Sequence, residues 1–513
     1  MNEKLNRRDF LKLAGLTGAS LILASCRPAT PSPTEQAQPS ATPKPTEPQP
    51  TPKPVEPTQA PPPAEPVKLI QWDWWVTQGP WFDEEIQLFQ EANPGITVER
   101  VMQREMDQAL PLAFAEGKLP DFYMGGPPLT EQYNTGQWLA YDLSSFVDFP
   151  EFKNSFPNPE IDFVEGKNVF DGKCYTAPRE ARNAWWNQVF INLDLFDKYG
   201  ITRLPDTDEE FLDAARKVTK DSGGVAYGYA NGFATGWMNM LIEWQGARSF
   251  AVGGLDWRTH EYVYSKNPHY AGILEMLATL REEGLILPEA SSIDDEGMRA
   301  MFADGKVAMI NGGMWNVNGW KQTHPDFSHY TIIPPLILGD KQEYTYYTGP
   351  GQTGEPFYLG STTRHPNEAW AWYKWLHTLE SGIRWVKSGN GLSIFPEAND
   401  PKYITDQVWK DYVVWMPKLN RVGPSPEVRN PNTGKLNVAG PEPNFAAITG
   451  GVYAGEISVS QLPEVLAELD RQLTENFAIA LEDAQKAGVD VKFEDFVFPD
   501  WDPLQDYITK PGA

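Results

Sequence analysis

One stretch of the sequence has the spacing of a nucleotide-binding loop. Residues 349–354 read GPGQTG, which matches the G-x-G-x-x-G pattern of dinucleotide-binding folds. In those folds the glycines open a helix, because the N–H groups of its first turn bind the pyrophosphate. Here the next residues are EPFYL, which is typical of a strand. The motif therefore predicts a glycine-rich crossover, and we expect no cofactor.

The residue types that support metal or covalent chemistry are scattered. His324 and His329 flank PDFS without the spacing of metal ligands, and the motifs H-E-x-x-H and G-x-S-x-G do not occur in the sequence. Cys174 is the only cysteine after Cys26, and we interpret it as a small buried apolar residue. Acidic residues are plentiful, so a carboxylate pair for glycoside hydrolysis stays open as an alternative, although no pair stands out. We predict no metal site and no enzyme.

The net charge argues against two classes of binding partner, and the aromatic content is high. The formal net charge is −26, which argues against nucleic acid and anionic lipid as binding partners. The sequence also holds 19 Trp, 20 Tyr and 25 Phe. Many of these rings must form the core, but nineteen tryptophans exceed what packing alone obviously demands.

The first 25 residues have the parts of an export signal. Arg7 and Arg8 precede GLTGASLILAS, an apolar stretch that is shorter than the ~20 residues needed to cross a bilayer. The arginine pair resembles the twin-arginine signal. The residues LASC, which end at Cys26, resemble a lipobox and so imply cleavage before Cys26 and lipid attachment to its sulfur. An ordinary cleaved signal or an uncleaved anchor is the alternative.

The signal is followed by a segment that predicts a tether. Fifteen of the forty residues in 27–66 are proline, and almost none are apolar. Such a segment cannot bury enough surface to fold, and in extended polyproline geometry it reaches roughly 120 Å. We therefore assign 1–25 to the signal and 26–66 to the lipidated cysteine and linker, and we expect the folded part to begin near Val67.

The pattern after the linker predicts alternating strands and helices. Strands are predicted at VKLIQWDWWV (67–76), ITVERV (96–101) and DFYMGG (121–126), with helices between them. This order indicates a parallel α/β sheet. Later helices are indicated by the capping box at Thr207–Glu210, by the aromatic positions of 367–379 and by the apolar stripe of 462–487. Roughly 450 residues exceed one ordinary core, so we expect two lobes and an irregular C-terminal tail.

Several stretches resemble the extracellular solute-binding proteins of ABC transporters, in the branch that contains the maltose-binding proteins. FQEANPGITVERV and AFAEGKLPDFYMG are similar to that family's first two helix–strand units. The segment from Gly172 to Ile201 resembles its passage between lobes, and its match is carried by Asn192, Asp194, Leu195 and Phe196. MFADGKVAMINGGMW is similar to its Phe-x-x-Gly-Lys-x-Ala-Met strand and following tryptophan. Together these stretches cover most of residues 67–487.

The resemblance implies a two-lobed α/β fold of the periplasmic-binding-protein type. Each lobe would be a mostly parallel sheet flanked by helices, with crossover hinges between the lobes. On this basis we expect a first lobe of 67–178 and 357–402 and a second lobe of 179–356 and 403–513. The family binds a solute between the lobes, closes on it, does no chemistry on it and delivers it to permease subunits. We expect a monomer outside the cytoplasmic membrane, at the cell surface or in the periplasm.

A sugar has apolar C–H faces and a rim of hydroxyl groups, so its site needs aromatic platforms with carboxylates and amides. The resemblance and the strand ends together select candidate ligand-binding residues in both lobes and at the crossover. The candidates are Trp74, Trp75, Glu180, Arg182, Trp185, Phe233, Trp237 and Trp315. Asp121, after Pro120, is interpreted as structural. Binding of a non-sugar solute, a secreted carbohydrate-cleaving enzyme and a purely structural surface protein remain alternatives to saccharide binding.

The anchoring hypothesis is tested at its cysteine. Since buried acyl chains contribute ~0.8 kcal/mol per CH₂, Cys26→Ala should release the protein from membranes into the soluble fraction. Fractionation of cells that express each form, with a high-salt wash, measures this. A variant that stays with the membranes after the wash contradicts the lipid anchor.

Overall fold

The computed structural model describes residues 66–184, 188–246, 252–333, 336, 347, 348 and 354–509. All of them belong to the unit Ala64–Ala513. The signal, Cys26 and the linker up to residue 65 lie outside these residues, so their assignments stay predictions. No helix in the described part combines the length and the apolar composition that a membrane span requires.

Short strands alternate with helices through the described residues. The strands are β1 (Val67–Asp73), β2 (Ile96–Met102), β3 (Phe122–Met124), β4 (Val169–Phe170), β5 (Lys173–Cys174), β6 (Gln188–Asn192), β7 (Tyr227–Ala230), β8 (Leu255–Asp256), β9 (Glu261–Tyr262), β10 (Val307–Gly312), β11 (Tyr330–Ile333), β12 (Tyr347–Thr348), β13 (Phe357–Leu359) and β14 (Arg421–Val422). The helices are α1 (Gly79–Ala92), α2 (Met106–Ala115), α3 (Leu129–Thr135), α4 (Phe149–Asn154), α5 (Pro159–Asp162), α6 (Leu193–Lys198), α7 (Asp208–Asp221), α8 (Gly236–Gly246), α9 (Pro268–Glu282), α10 (Asp295–Ala303), α11 (Trp315–Thr323), α12 (Pro366–Leu376), α13 (Leu379–Lys387), α14 (Gln407–Leu419), α15 (Pro426–Arg429), α16 (Phe445–Ala454) and α17 (Leu462–Lys486).

A first four-stranded sheet has the order β13-β3-β1-β2. β1 runs parallel to β2 and to β3, while β13 runs antiparallel to β3. The alternation in VKLIQWD buries Leu69, Gln71 and Asp73, which is the two-residue period of a strand. Helix α1 packs against β2, and α12 packs against β1. We call this sheet and the helices on it the first lobe.

A second four-stranded sheet has the order β11-β6-β10-β7. Helix α7 packs against β7 and α10 against β10, and we call this group the second lobe. The two sheets with flanking helices confirm the predicted α/β organisation. The expectation of a mostly parallel sheet holds for the first lobe only. In the second sheet β7 pairs with β10 in parallel, whereas β6 is antiparallel to both β10 and β11.

The reversed strands have a common cause. In each sheet one strand, β13 or β6, runs against the others, and it is the first strand of that sheet after the chain crosses from the other lobe. Parallel neighbours in one sheet are joined through a crossover helix, and a chain arriving from elsewhere is free of that constraint. β13 lies at an edge and reverses one pairing, whereas β6 lies inside its sheet and reverses two. The exact lobe boundaries stay a prediction.

Most of the helix predictions are confirmed. Thr207 and Glu210 form the expected capping box at the start of α7, with both hydrogen bonds at 3.3 Å. Among the described residues the longest helix is α17, and the described tail from 489 to 509 has only the short 3-10 turn Phe493–Phe496. Of the glycine motif, only Gly354 is described, and the strand predicted after it is β13. Cys174 is buried, and burial raises the pKa of its thiol well above the ordinary value.

A buried carboxylate ties the helices of the first lobe together. Glu85 on α1 is fully buried and accepts two hydrogen bonds from Arg384 at 2.7 and 2.8 Å. It also accepts from the Trp375 indole at 2.7 Å and from the Ser381 hydroxyl at 3.0 Å. Four donors compensate the desolvation of the charge. This network fixes α1 against α12 and α13.

A second buried carboxylate ends β1. Asp73 is fully buried, and its two oxygens accept hydrogen bonds from Arg100 on β2, both at 2.7 Å. Asp73 also accepts the backbone N–H of Trp75 at 3.0 Å, and Arg100 donates to the carbonyl of Trp75. The pair therefore holds both the β1–β2 edge and the backbone that follows β1.

The Asp73–Arg100 pair has an exposed counterpart on the same two strands, Lys68–Glu99. Removing one member of a buried pair leaves the other charge without a partner and typically costs about 3–5 kcal/mol. Asp73→Asn should therefore lower the free energy of unfolding by about 3 kcal/mol. Glu99→Gln should change it by less than ~1 kcal/mol, because exposed pairs contribute little. Denaturant titrations of both variants measure this. Equal losses would contradict the importance given to the buried pair.

Candidate ligand-binding site

A cavity of about 700 Å³ lies between the two lobes. This volume is within the range of small-molecule sites in proteins, about 300–1,000 Å³. Its walls come from the segment after β1 and the start of α2 in the first lobe, and from α8, α10 and α11 in the second. Glu180 and Glu355, near the crossovers, also line it. The carboxyl ends of β1 and β10 thus face the same space, as expected for ligand sites on α/β sheets.

The first-lobe wall begins directly after the Asp73–Arg100 pair. Trp74 is half-buried, and its ring lies so close to Gly125 that a Cβ there would be 2.3 Å from the ring. Gly125 also has φ +68°, a conformation that favours glycine. Trp75 is 8% exposed and packs on Phe82 and Trp385, with ring centroids 5.8 and 5.3 Å apart. Trp74 therefore presents a ring to the cavity, and Trp75 mainly supports the wall.

The second-lobe wall carries two tryptophans that contact each other. Trp315 is the first residue of α11 and follows β10 after two loop residues. A Cβ on Gly313 would be 1.9 Å from its ring, so the glycine makes room for the indole. Trp237 at the start of α8 is 37% exposed, and its ring centroid is 6.1 Å from that of Trp315. Both rings line the cavity.

Charged residues surround the start of α10. Asp294 caps the helix by accepting the N–H of Gly297 at 2.9 Å. Arg299 is buried and donates to Glu296 and to Asn316, the latter at 2.9 Å, and it lies 3.5 Å from Asp295. Burial raises the pKa of Asp295 above its ordinary value. Among the described residues, no group of three or more His, Cys, Asp and Glu is arranged to hold a metal ion.

The two segments that pass between the lobes, near the predicted boundaries at residues 178/179 and 356/357, contribute a buried charge pair and a second acid. The Arg179 guanidinium lies 3.9 Å from the ring centroid of Trp385 and 4.9 Å from those of Trp75 and Phe357. It donates to Glu180, whose carboxylate lines the cavity. Burial, with the nearby charges of Glu180 and then Asp107, raises the pKa of Glu355 to about 7, while Arg179 opposes the rise.

The lobes touch beside the cavity through hydrogen bonds. The carbonyl of Thr77 in the first lobe accepts from Asn318 at 2.6 Å and from Gln322 at 3.0 Å, both on α11. Asn318 also donates to Asn390 at 3.0 Å. The Thr77 methyl would be 3.0 Å from a Cβ on Gly319, so the glycine permits this approach. The wall residue Thr77 therefore belongs to both the cavity and the contact between lobes.

The structure brings five of the eight candidate residues to the cavity. They are Trp74, Trp75, Glu180, Trp237 and Trp315. Arg182 forms an ion pair with buried Asp162 instead, and Phe233 stacks on Tyr453 with centroids 3.8 Å apart. Trp185 lies outside the described residues. Asp121 accepts the backbone N–H of Ile70 at 2.8 Å, which fits its structural interpretation.

Sequence reasoning missed other wall residues. Trp385 and Tyr412 line the cavity from α13 and α14, where their helical spacing indicates core. Arg299 belongs to EGMRAMF, which was predicted only as a short helix and not as part of a binding site. Glu355 follows the glycine motif directly. That position, beside a predicted crossover, is the signal from which it could have been predicted.

The sequence around this cavity matches a known protein family. Residues 73–383, more than half of the chain, match the model described as bacterial extracellular solute-binding protein. The chain belongs to the bacterial extracellular solute-binding proteins. In this family member the matched segment begins at Asp73 and contains Trp74, Trp237 and Trp315. The family indicates a location outside the cytoplasm.

Curated relatives of this solute-binding protein cover part of it. Binding proteins of Brucella abortus (strain 2308) and Brucella suis biovar 1 (strain 1330) are each 26% identical over 276 residues. The match covers 52% of this chain and 62% of each relative, which is less than two thirds of their length.

Solved structures share the fold of this solute-binding protein. The GacH receptor of Streptomyces glaucescens, studied unliganded and with acarbose, has a TM-score of 0.60 at 15% identity, covering 81% of this chain and 99% of the receptor. Maltose-bound MalE3 of T. maritima has 0.59 at 15%, covering 80% and 99%. An ABC substrate-binding protein of Listeria monocytogenes in complex with cycloalternan has 0.59 at 16%, covering 81% and 100%. These likenesses show the two-lobed fold.

The raised pKa of Glu355 predicts a pH-dependent stability. Between about pH 4.5 and pH 7 the unfolded chain loses this proton while the folded chain keeps it, so the contribution of Glu355 to stability falls as pH rises. Glu355→Gln removes this penalty. Its stability advantage over the wild type should therefore be about 3 kcal/mol larger at pH 8 than at pH 4, since a pKa difference of one equals about 1.4 kcal/mol. Denaturant titrations at both pH values test this.

The exposed acid Glu397 provides the control for this comparison. Glu397→Gln should show no such difference between the two pH values. A stability difference between Glu355→Gln and the wild type that is independent of pH would contradict the assigned pKa.

Proposed function

We propose that this protein is the lipid-anchored substrate-binding subunit of an ABC importer. It captures a saccharide between its two lobes and delivers the saccharide to the membrane permease. It performs no chemistry on its ligand, acts outside the cytoplasmic membrane as a monomer, and has no nucleic acid partner. The lipid on Cys26 holds it at the membrane, and the proline-rich linker gives it reach.

The observation that carries the saccharide assignment is the pair of aromatic walls. Trp74 lines the cavity from the first lobe, and Trp237 and Trp315 line it from the second. Partly exposed indole rings suit the apolar faces of pyranose rings, because both surfaces are flat and poorly hydrated. Glu180 and Asn390, which line the same cavity, supply acceptors and donors for hydroxyl groups.

The similar solved structures support this ligand class. The receptor of Streptomyces glaucescens was studied with acarbose, the protein of T. maritima with maltose and the protein of Listeria monocytogenes with cycloalternan. The cavity of this chain lies between its own two lobes. Closure on the ligand would use the contact of Thr77 with α11, since ligand binding and lobe contact meet at that wall.

Two tryptophans of α11 provide a matched test. Trp315 lines the cavity, whereas Trp320 is 1% exposed and belongs to the core. Trp315→Ala should weaken saccharide binding by about 1–3 kcal/mol, the scale of aromatic stacking contacts, with little loss of stability. Trp320→Ala should instead lower the free energy of unfolding by about 3–5 kcal/mol. Calorimetry against a panel of oligosaccharides, amino acids and peptides, with thermal denaturation, measures both.

The results separate the alternatives. A large loss of stability in Trp315→Ala with unchanged affinity assigns this ring to the core and removes it from the site. Binding of a non-sugar solute alone overturns the saccharide assignment but keeps the binding function. Glu355 with its raised pKa beside Glu180 is the observation that favours a carbohydrate-cleaving enzyme. Shortened saccharides in the calorimeter cell would establish that alternative.

A further inference from the structure

The walls of the cavity are unusually acidic. Among the described residues that line it, seven are aspartate or glutamate and two are arginine. The whole chain has 69 acidic and 43 basic residues, so the cavity is more strongly biased toward acids than the chain. A low-dielectric cleft with one sign of charge concentrates ligands of the opposite sign.

The arginine of the second-lobe wall does not balance its neighbours. Arg299 is buried and contacts Glu296 and Asp295, while Asp294 lies at the same helix start. Two carboxylates thus share one guanidinium, and the third carboxylate at this helix start accepts a backbone N–H instead. The other arginine of the walls, Arg104, is exposed to solvent, where its charge is screened.

The crossover side of the cavity has a similar excess. Glu180 is paired with Arg179, but that guanidinium lies among Trp75, Trp385 and Phe357 and does not line the cavity. Glu355 lines the cavity beside Glu180, since a Cβ on the preceding Gly354 would be 2.6 Å from a carboxylate oxygen of Glu180. The charge of Arg179 offsets only part of the repulsion from Glu180 and Asp107. Two like charges held close together raise the cost of ionising either one. A cation placed in the cavity would lower that cost.

An unused donor marks the same wall as a place for a ligand. Trp385 is 2% exposed and lines the cavity, and its indole N–H has no hydrogen-bond partner among the described residues. A Cβ on Gly391, also on the wall, would be 3.0 Å from that nitrogen and 3.5 Å from an oxygen of Glu180. Buried donors are normally satisfied. A bound molecule with both acceptors and cationic donors would complete this wall.

We infer that the ligand of this cavity carries a protonated amine and, resting on the proposed function, that it is an amino-bearing saccharide. The ammonium group would lie between Glu180 and Glu355. The sugar rings would lie against the tryptophans, whose faces also attract cations.

A matched set of three probes tests the inference. They are a trimer of glucosamine, the same trimer with every amine acetylated, and trilysine, which has amines without a sugar. Calorimetry at neutral pH should give about tenfold or tighter binding of the glucosamine trimer over the acetylated trimer, as one favourable charge interaction supplies. The advantage should shrink in about 0.5 M salt.

Two variants locate the effect. Glu355→Gln should reduce the preference for the glucosamine trimer over the acetylated trimer about threefold or more. Glu397→Gln, an exposed acid that does not line the cavity, should leave the preference unchanged.

Each outcome decides one of the two proposals. Equal or tighter binding of the acetylated trimer overturns the amine and leaves the saccharide function intact. Binding of trilysine alone supports the amine and overturns the saccharide function. Binding of none of the three overturns the amine, while the saccharide function is decided by the oligosaccharide panel. Loss of preference in Glu397→Gln to the same extent as in Glu355→Gln would reduce the effect to net charge and overturn the local assignment.

Discussion

The buried pair of Asp73 and Arg100 is the constraint on which the first-lobe wall depends. It joins the last residue of β1 to β2, and the same two side chains also bind both backbone groups of Trp75. A fully buried carboxylate must keep its partner, because an unpaired charge is costly in the interior. The position of Trp74 and the contact of Thr77 with the second lobe both follow from this one arrangement. The sheet edge, the cavity wall and the contact between the lobes are therefore connected through one short segment of the chain.

Sequence reasoning predicted residues of the cavity wall where they directly follow strands. Trp74 and Trp315 were predicted because ligands collect at the carboxyl ends of strands, and both rings line the cavity. It failed where the backbone is irregular. Arg179, Glu180 and Arg182 lie close together on the crossover, which has no periodicity to tell which side chain faces the cavity. Only Glu180 does so, while Arg179 pairs with Glu180 from behind the wall and Arg182 pairs with Asp162.

Strand direction was predicted where helices join neighbouring strands and missed where they do not. The alternation from Val67 to Gly126 indicated a parallel sheet, and β1, β2 and β3 are parallel. β6 arrives from the other lobe, and nothing in the QVFIN sequence reveals its direction.

The number of tryptophans did not indicate their roles either. Trp81, Trp320, Trp372 and Trp409 belong to the core, while Trp237 is exposed. Burial, which sequence alone does not give, separates these roles.

The carbonyl of Thr77 has a kinetic consequence. It accepts two amide donors from α11 while its own residue lines the cavity. Separation of the lobes must break these bonds, each of which contributes roughly 1 kcal/mol net. Under the proposed function, the residence time of a solute between the lobes would therefore depend partly on bonds that the solute does not make. Affinity and escape rate would then be adjustable through different residues.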